Sequence, residues 1–146
     1  MQVKFKKLKV QAHIPTLGSP QSAGYDLYAC LDEDSLTIPP FGTRLCPTGL
    51  AIVPPNGYFA ALFPRSGLST KKGIRLANCV GVCDEDYRGE YMVALHNDTD
   101  SPKVVDNGER VAQLIFLPYQ VIDFVEVNEI DETERGAGSF GSTGMT

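Results

Sequence analysis

Three segments of this 146-residue chain carry side chains whose types and spacing can do chemistry. The first is PRSGLSTKKGI, residues 64–74, directly after an apolar run that ends at Phe63. Arg65, the Ser66 hydroxyl, Gly67 and the charged Lys71 and Lys72 would stand at the start of a short helix, where unpaired N–H groups and the helix dipole favour an anion. This is a candidate phosphate site, although an Arg-Ser-Gly turn also occurs as a plain solvated turn and the Walker consensus is absent. The second is NCVGVCDEDYRGEYMVALHN, residues 78–97, which reads as a β-hairpin turning at Arg88-Gly89 with carboxylates near its tip. An extended strand puts Asp84 and Asp86 on one face and Glu85 on the other. The Asp pair could then act as a general base and its supporting partner, ligate a cation, or simply keep a hairpin end soluble.

The third segment is the C-terminal stretch DETERGAGSFGSTGMT, from Asp131 onward. Its glycines at 136, 138 and 141 fit a GxGxxG spacing, but that fingerprint must follow a strand and open a helix, which this one does not. What remains is a cradle. Glycine N–H groups can approach a phosphate closely, Arg135 can grip one bidentately, and Phe140 can stack on a planar ring. A disordered solubilising tail is the plain alternative, since the stretch cannot bury enough apolar area to fold alone.

Short elements must hold these groups in place. Period-two alternation over residues 3–10, 25–31, 45–53, 58–63, 91–96 and 111–116, continuing after Pro118 into 121–127, predicts strands. Turn signals separate them at Pro39-Pro40, at residues 54–57, at Arg88-Gly89, at residues 97–101 and at Asn107-Gly108, with the spacing of a β-sandwich or barrel. Fourteen glycines and ten prolines interrupt the chain too often for ordinary helices, so helical bundles are excluded and one short helix near Ser66–Lys72 is expected. The reading is a single all-β domain, jelly-roll-like, over residues 1–130, followed by a flexible glycine-rich tail over 131–146.

Composition narrows the function classes. At 15.9 kDa there is room for one domain burying about two-thirds of its unfolded surface. A net charge of -5 is the wrong sign for coating nucleic acid, though it allows a single bound polyphosphate. The basic start, MQVKFKKLKV, lacks the apolar stretch of a signal peptide and reads as an edge strand with lysines outward. No run of eighteen apolar residues suggests a membrane helix. Cys30, Cys46, Cys79 and Cys83 form no CxxC pair, which argues against zinc and for free thiols in a cytoplasmic protein.

In order along the chain, SAGYDLYA (22–29), PRSGL (64–68), NCVGVCDEDYRGE (78–90), ERVAQLIF (109–116) and RGAGSFGSTG (135–144) resemble the five motifs of the homotrimeric dUTPases, the deoxyuridine triphosphate nucleotidohydrolases. The resemblance implies three identical chains sharing three interfacial active sites, each closed by the tail of another subunit. It implies Mg²⁺-dependent conversion of dUTP and water to dUMP and pyrophosphate, clearing dUTP and supplying dUMP for thymidylate synthesis. Carried over by motif, Asp84 would activate the water that attacks the α-phosphorus, with Asp86 in support, and Asp26 would hold waters of the metal. Arg65, Ser66, Gly67 and Gln113 would contact phosphates. Asn78 and the backbone from Val82 through Cys83 to Asp84 and near Met92 would read uracil, with Tyr87 under the deoxyribose. Arg135 would bind the γ-phosphate, Phe140 would lie over the base, and Gly141, Ser142 and Thr143 would complete the lid. Cys83 stands where isoleucine is common and Ser139 where glycine is common. Two rivals share the fold: a dCTP deaminase-type enzyme, which needs a glutamate to activate water at the base, and a nucleotide-binding regulatory trimer without catalysis.

Overall fold

The computed structural model describes residues 1–139. Its described residues form twelve short strands and one helix: β1 (Lys4–Lys7), β2 (Thr16–Leu17), β3 (Tyr25–Tyr28), β4 (Ser35–Ile38), β5 (Thr43–Pro47), β6 (Leu50–Val53), β7 (Tyr58–Phe63), α1 (Ser66–Lys72), β8 (Ile74–Leu76), β9 (Gly81–Cys83), β10 (Met92–Asn97), β11 (Lys103–Asp106) and β12 (Arg110–Pro118). All pairings are antiparallel. A five-stranded sheet runs β2-β3-β12-β7-β9, a three-stranded sheet runs β5-β10-β8, and β1-β6 and β4-β11 make two-stranded ribbons. This is the expected all-β, jelly-roll-like fold with one short helix.

Alternation produces the layering. Along β10, Val93, Leu95 and Asn97 are buried while Met92 is exposed and Ala94 and His96 are half-buried. Inward side chains from every sheet join one continuous core, including Leu27, Leu62 and Leu114 from the five-stranded sheet and Leu76, Val93 and Leu95 opposite. No helix among the described residues is long and apolar enough to cross a membrane.

Four readings change. The alternating run 45–53 is two strands in two different sheets, broken at Gly49. Gly49 takes φ +68°, and a Cβ there would lie 2.7 Å from Cys30 Sγ and 2.8 Å from Ala12 Cβ, so neither the turn nor the packing admits a side chain. Residues 121–127 form no strand, and Val121 and Phe124 are 89% and 97% exposed. Alternation gives a segment two faces, but a strand also needs a neighbour to pair its N–H and C=O groups. Residues 78–97 are not a hairpin, because β9 pairs with β7 while β10 lies between β5 and β8. Among the cysteines, all unpaired, Cys30 and Cys46 are buried as their apolar neighbours suggest, whereas Cys79 is exposed.

Candidate active site

β12 is the spine of the first cavity. Its Gln113 pairs with Asp26 on β3 and with Phe63 at the end of β7, so three strands deliver their side chains to one place. Asp26 is buried there. Its Oδ1 accepts from Arg65 Nε at 2.8 Å and its Oδ2 from Arg110 Nη1 at 3.2 Å. One carboxylate thereby orients two guanidiniums and leaves a net positive charge at the mouth of a cavity of about 600 Å³. Gly18, Ser22, Ser66 and Gly67 complete the wall. Gln113 Nε2 donates to Pro64 O at 3.0 Å, fixing the entry to α1. Gly24 is required by that arrangement, since a Cβ would stand 2.9 Å from Gln113 Oε1. Guanidiniums and an amide around exposed hydroxyl and glycine positions suit bidentate recognition of phosphate oxygens.

Arg110 is the residue the motif reading left without a role. A regular strand would put Arg110 and Gln113, three apart, on opposite faces. The register of β12 against β3 slips between Arg110 and Ala112, and this irregularity brings both into the same cavity. Its position in ERVAQLIF, three residues before Gln113, was the signal available. The lysines of α1 are corrected in turn. Lys71 and Lys72 lie in the last helical turn, and Lys72 Nζ donates to both Glu109 carboxylate oxygens at 2.7 and 2.8 Å. Lys72 therefore braces α1 against the start of β12.

The second cavity, also about 600 Å³, holds the acidic cluster. β9 ends at Cys83, and residues 84–87 form a turn closed by Tyr87 N–H donating to Asp84 O at 3.1 Å. The strand argument for a shared face thus lapses, yet Asp84 and Asp86 line the same cavity, with Phe59, Val82, Glu85, Arg88 and Tyr119. Glu85 Oε2 accepts from Gly57 N–H and from Tyr119 O–H, each at 2.8 Å. These bonds, the Gly57 one foremost, hold its carboxyl below the usual glutamate range, while Glu85 pushes the Tyr119 phenol up. Arg88 Nη1 donates to Glu85 O and Tyr87 O at 2.6 and 2.9 Å. Tyr87 donates its hydroxyl to Glu90 O at 2.9 Å and covers Gly89, where a Cβ would collide with that hydroxyl.

Approaching β9, Asn78 is exposed, and Cys79 takes φ +61° in a tight turn closed by Val80 N–H to Asn78 O at 2.6 Å. Among the described residues β9 is an edge strand, with one side of its backbone open to pair with a planar ring edge. Val82 on β9 and Met92 at the start of β10 are exposed, and burial pushes the Cys83 thiol up to about 11.

The two cavities lie toward opposite ends of β7. Phe59 lines the second and Phe63 the first, four residues or roughly 13 Å apart along the strand. Asp26, Arg65, Ser66, Gly67 and Gln113 are thus brought together, and Val82, Asp84 and Asp86 are brought together elsewhere. Arg135 lines neither cavity; its Nε donates to Gly138 O at 3.1 Å within a local turn. Phe140, Gly141, Ser142 and Thr143 lie outside the described residues.

The profile of the dUTPase family matches residues 10–144, nearly the whole chain. The chain belongs to the dUTPase family. It is accordingly an enzyme of that family. The deoxyuridine 5'-triphosphate nucleotidohydrolase of Desulfitobacterium hafniense is 49% identical over 134 residues, covering 91% of this chain and 88% of that one. The enzyme of the same name from Polynucleobacter asymbioticus is 46% identical over 147 residues, covering 100% of this chain and 98% of that one. A mutant dUTPase of Staphylococcus bacteriophage 80alpha, solved with dUpNHpp, superposes with a TM-score of 0.88 at 26% identity, covering 98% of both chains. A mutant dUTPase from phage phi11 of S. aureus, described with a structural Mg(II) ion, shares the fold with a TM-score of 0.80 at 20% identity, covering 90% of this chain and all of that one.

Proposed function

We propose that this dUTPase hydrolyses dUTP to dUMP and pyrophosphate, clearing dUTP and supplying dUMP for thymidylate synthesis, with Asp84 as the base that takes a proton from the water attacking the α-phosphorus. The observation that carries the reading is the convergence of Arg65 and Arg110 on Asp26, in a cavity also lined by Gln113, Ser66 and Gly67. Phosphoryl transfer asks a protein chiefly for positioning and charge neutralisation, and this cavity supplies both to a polyphosphate. Asp84 sits on an exposed turn, open to meet the phosphates held by a neighbouring copy, with Asp86 in support. Asn78 and the backbone of Val82, Cys83 and the neighbourhood of Met92 read the uracil edge, where a thymine methyl would clash and cytosine would leave polar groups unpaired. Tyr87, braced on Glu90 and Gly89, packs beneath the deoxyribose.

The residues present fit Mg²⁺ carried by the substrate. Among the described residues no group of three His, Cys, Asp or Glu forms a cage for a metal, and Mg²⁺ ordinarily binds through phosphates, waters and one or two carboxylates. Asp26 would hold it through water, on lone pairs that Arg65 and Arg110 leave free. When bound it would neutralise charge on the triphosphate.

The working unit in this reading is a homotrimer. Separation of the phosphate cavity from Asp84 in one chain supports a site shared between copies, and the exposed apolar stretch at 121–130 supports contacts between them. Residues 131–146 then form a lid over a neighbouring subunit's site, with Arg135 on the γ-phosphate and Phe140, Gly141, Ser142 and Thr143 closing over the nucleotide. Unpaired cysteines suit a reducing compartment such as the cytoplasm.

The test is product analysis with dUTP, dCTP, dTTP and UTP, each with and without Mg²⁺, on the parent and Asp84→Asn. The parent should release dUMP from dUTP, and Asp84→Asn should bind nucleotide yet lose about 10² to 10⁴ in turnover. Deamination of dCTP, or near-normal turnover by Asp84→Asn, would overturn the reading.

A further inference from the structure

We propose that Glu85 is a positioning residue for Asp84, clamped at one end of the five-stranded sheet by the Gly57 N–H and the Tyr119 hydroxyl. The inference rests on the reading of Asp84 as the base. Three segments meet at the clamp: the turn entering β7, the turn leaving β9 and the residue leaving β12. Their strands are neighbours in the order β12-β7-β9, and Ala60 pairs with both Cys83 and Phe116, so the three ends lie side by side.

The contacts close a triangle. One carboxylate oxygen of Glu85 accepts from both Gly57 N–H and Tyr119 O–H at 2.8 Å, and Tyr119 N–H donates to Gly57 O at 3.1 Å. Gly57 takes φ +76°, and a Cβ at that position would meet nothing within 4 Å, so the conformation itself, rather than lack of room, calls for glycine. Arg88 holds the other side of the turn through the Glu85 and Tyr87 carbonyls. By contrast, among the described residues no hydrogen bond holds the Asp84 carboxylate. Asp84 is exposed, and its place is set by its backbone, through the peptide to the clamped Glu85 and the Tyr87 N–H bond to its carbonyl. A solvent-facing cluster of this kind adds little to global stability. What it does constrain is the backbone next to the base, and a misplacement of about 1 Å can cost about 100-fold in rate.

Steady-state kinetics on dUTP with Mg²⁺ test this in five variants of the full-length protein. Glu85→Ala should lower kcat about tenfold and leave KM within about twofold, while Glu85→Gln, whose amide oxygen accepts both bonds, should recover most of the loss. Tyr119→Phe keeps the ring and the backbone bond, and should lower kcat about threefold. In an Asp84→Asn background, Glu85→Ala should cost nothing further. Parental kcat in Glu85→Ala, a Gln variant as slow as Ala, or additive loss in the double variant would each overturn the clamp while Asp84→Asn remained inactive. Near-parental turnover in Asp84→Asn alone would instead remove the base reading, and the clamp's purpose with it. Should Glu85→Ala not fold, Tyr119→Phe and Glu85→Gln carry the test.

Discussion

Asp26 and Glu85 show two uses of a carboxylate at the scale of single residues. Asp26 is nearly buried and gives each oxygen to a different arginine, so removing it would leave two guanidiniums unpaired and facing one another. Glu85 lies half-buried at the surface and uses one oxygen twice. Its folded pKa is lowered, so its contribution is present above the unfolded value and is lost as pH falls through the folded one. Tyr119 is raised, so its contribution is present below its ordinary value and is lost as pH rises through its folded one. The charged neighbours facing this pair are Arg88, Asp84 and Asp86. The Gly57 amide resonance should therefore titrate with a midpoint below the ordinary glutamate value of 4.5, and Glu85→Gln should abolish the step. A midpoint at or above that value would remove the charge-assisted bond. Tyr87 carries a second prediction at this scale. Tyr87→Ala should narrow the ratio of kcat/KM between dUTP and UTP, because the ring is the proposed obstacle to a ribose hydroxyl; an unchanged ratio would make it packing alone.

Elements succeed here by being short and slightly irregular. β12 touches both β3 and β7, and the register slip at its start turns a two-faced strand into one that presents Arg110 and Gln113 together. Just before β10, Tyr91 is fully buried, its phenol pushed far up by burial and by the adjacent Cys83 thiol, and among the described residues its hydroxyl finds no oxygen or nitrogen partner. A buried unpaired hydroxyl costs about 1–3 kcal/mol. Tyr91→Phe should therefore hold or raise the Tm by a few degrees in a thermal melt, whereas a fall would reveal a partner for that hydroxyl. The ring itself is core and cannot be dispensed with in the same way. Truncation of a comparable neighbour such as Leu95 to alanine costs about 2–5 kcal/mol.

At the scale of the whole molecule, the arginine-lined cavity and the Asp84 turn are built by the same sheet and stand apart along β7. A shared site follows if copies bring one chain's Asp84 against another's Arg65. Complementation tests it: Asp84→Asn and Arg65→Ala chains, each inactive alone, should on co-refolding in equal amounts regain about one-quarter of parental activity, the fraction of interfacial sites that random assortment leaves intact. A site held within one chain would stay inactive in any mixture.

The fold class, the short helix and the family were all legible in the sequence, because period-two patterning, Gly/Pro punctuation and motif order are local and survive without a partner. Alternation at residues 121–127 was equally clear, yet it reports two faces and says nothing about a neighbouring strand, so the described chain leaves that segment unpaired. Gly49 hid the break between β5 and β6 because a tight turn preserves the alternation on either side. Arg110 stayed hidden because a register slip is set by how β12 packs on β3, and no residue type announces it. Glu85 finds its partners 28 and 34 residues away, at Gly57 and Tyr119. Local pattern determined which side of each strand is buried. Tertiary structure decided which strands are neighbours, because pairing depends on sheet order, and sheet order is settled by burying all the inward faces in one core.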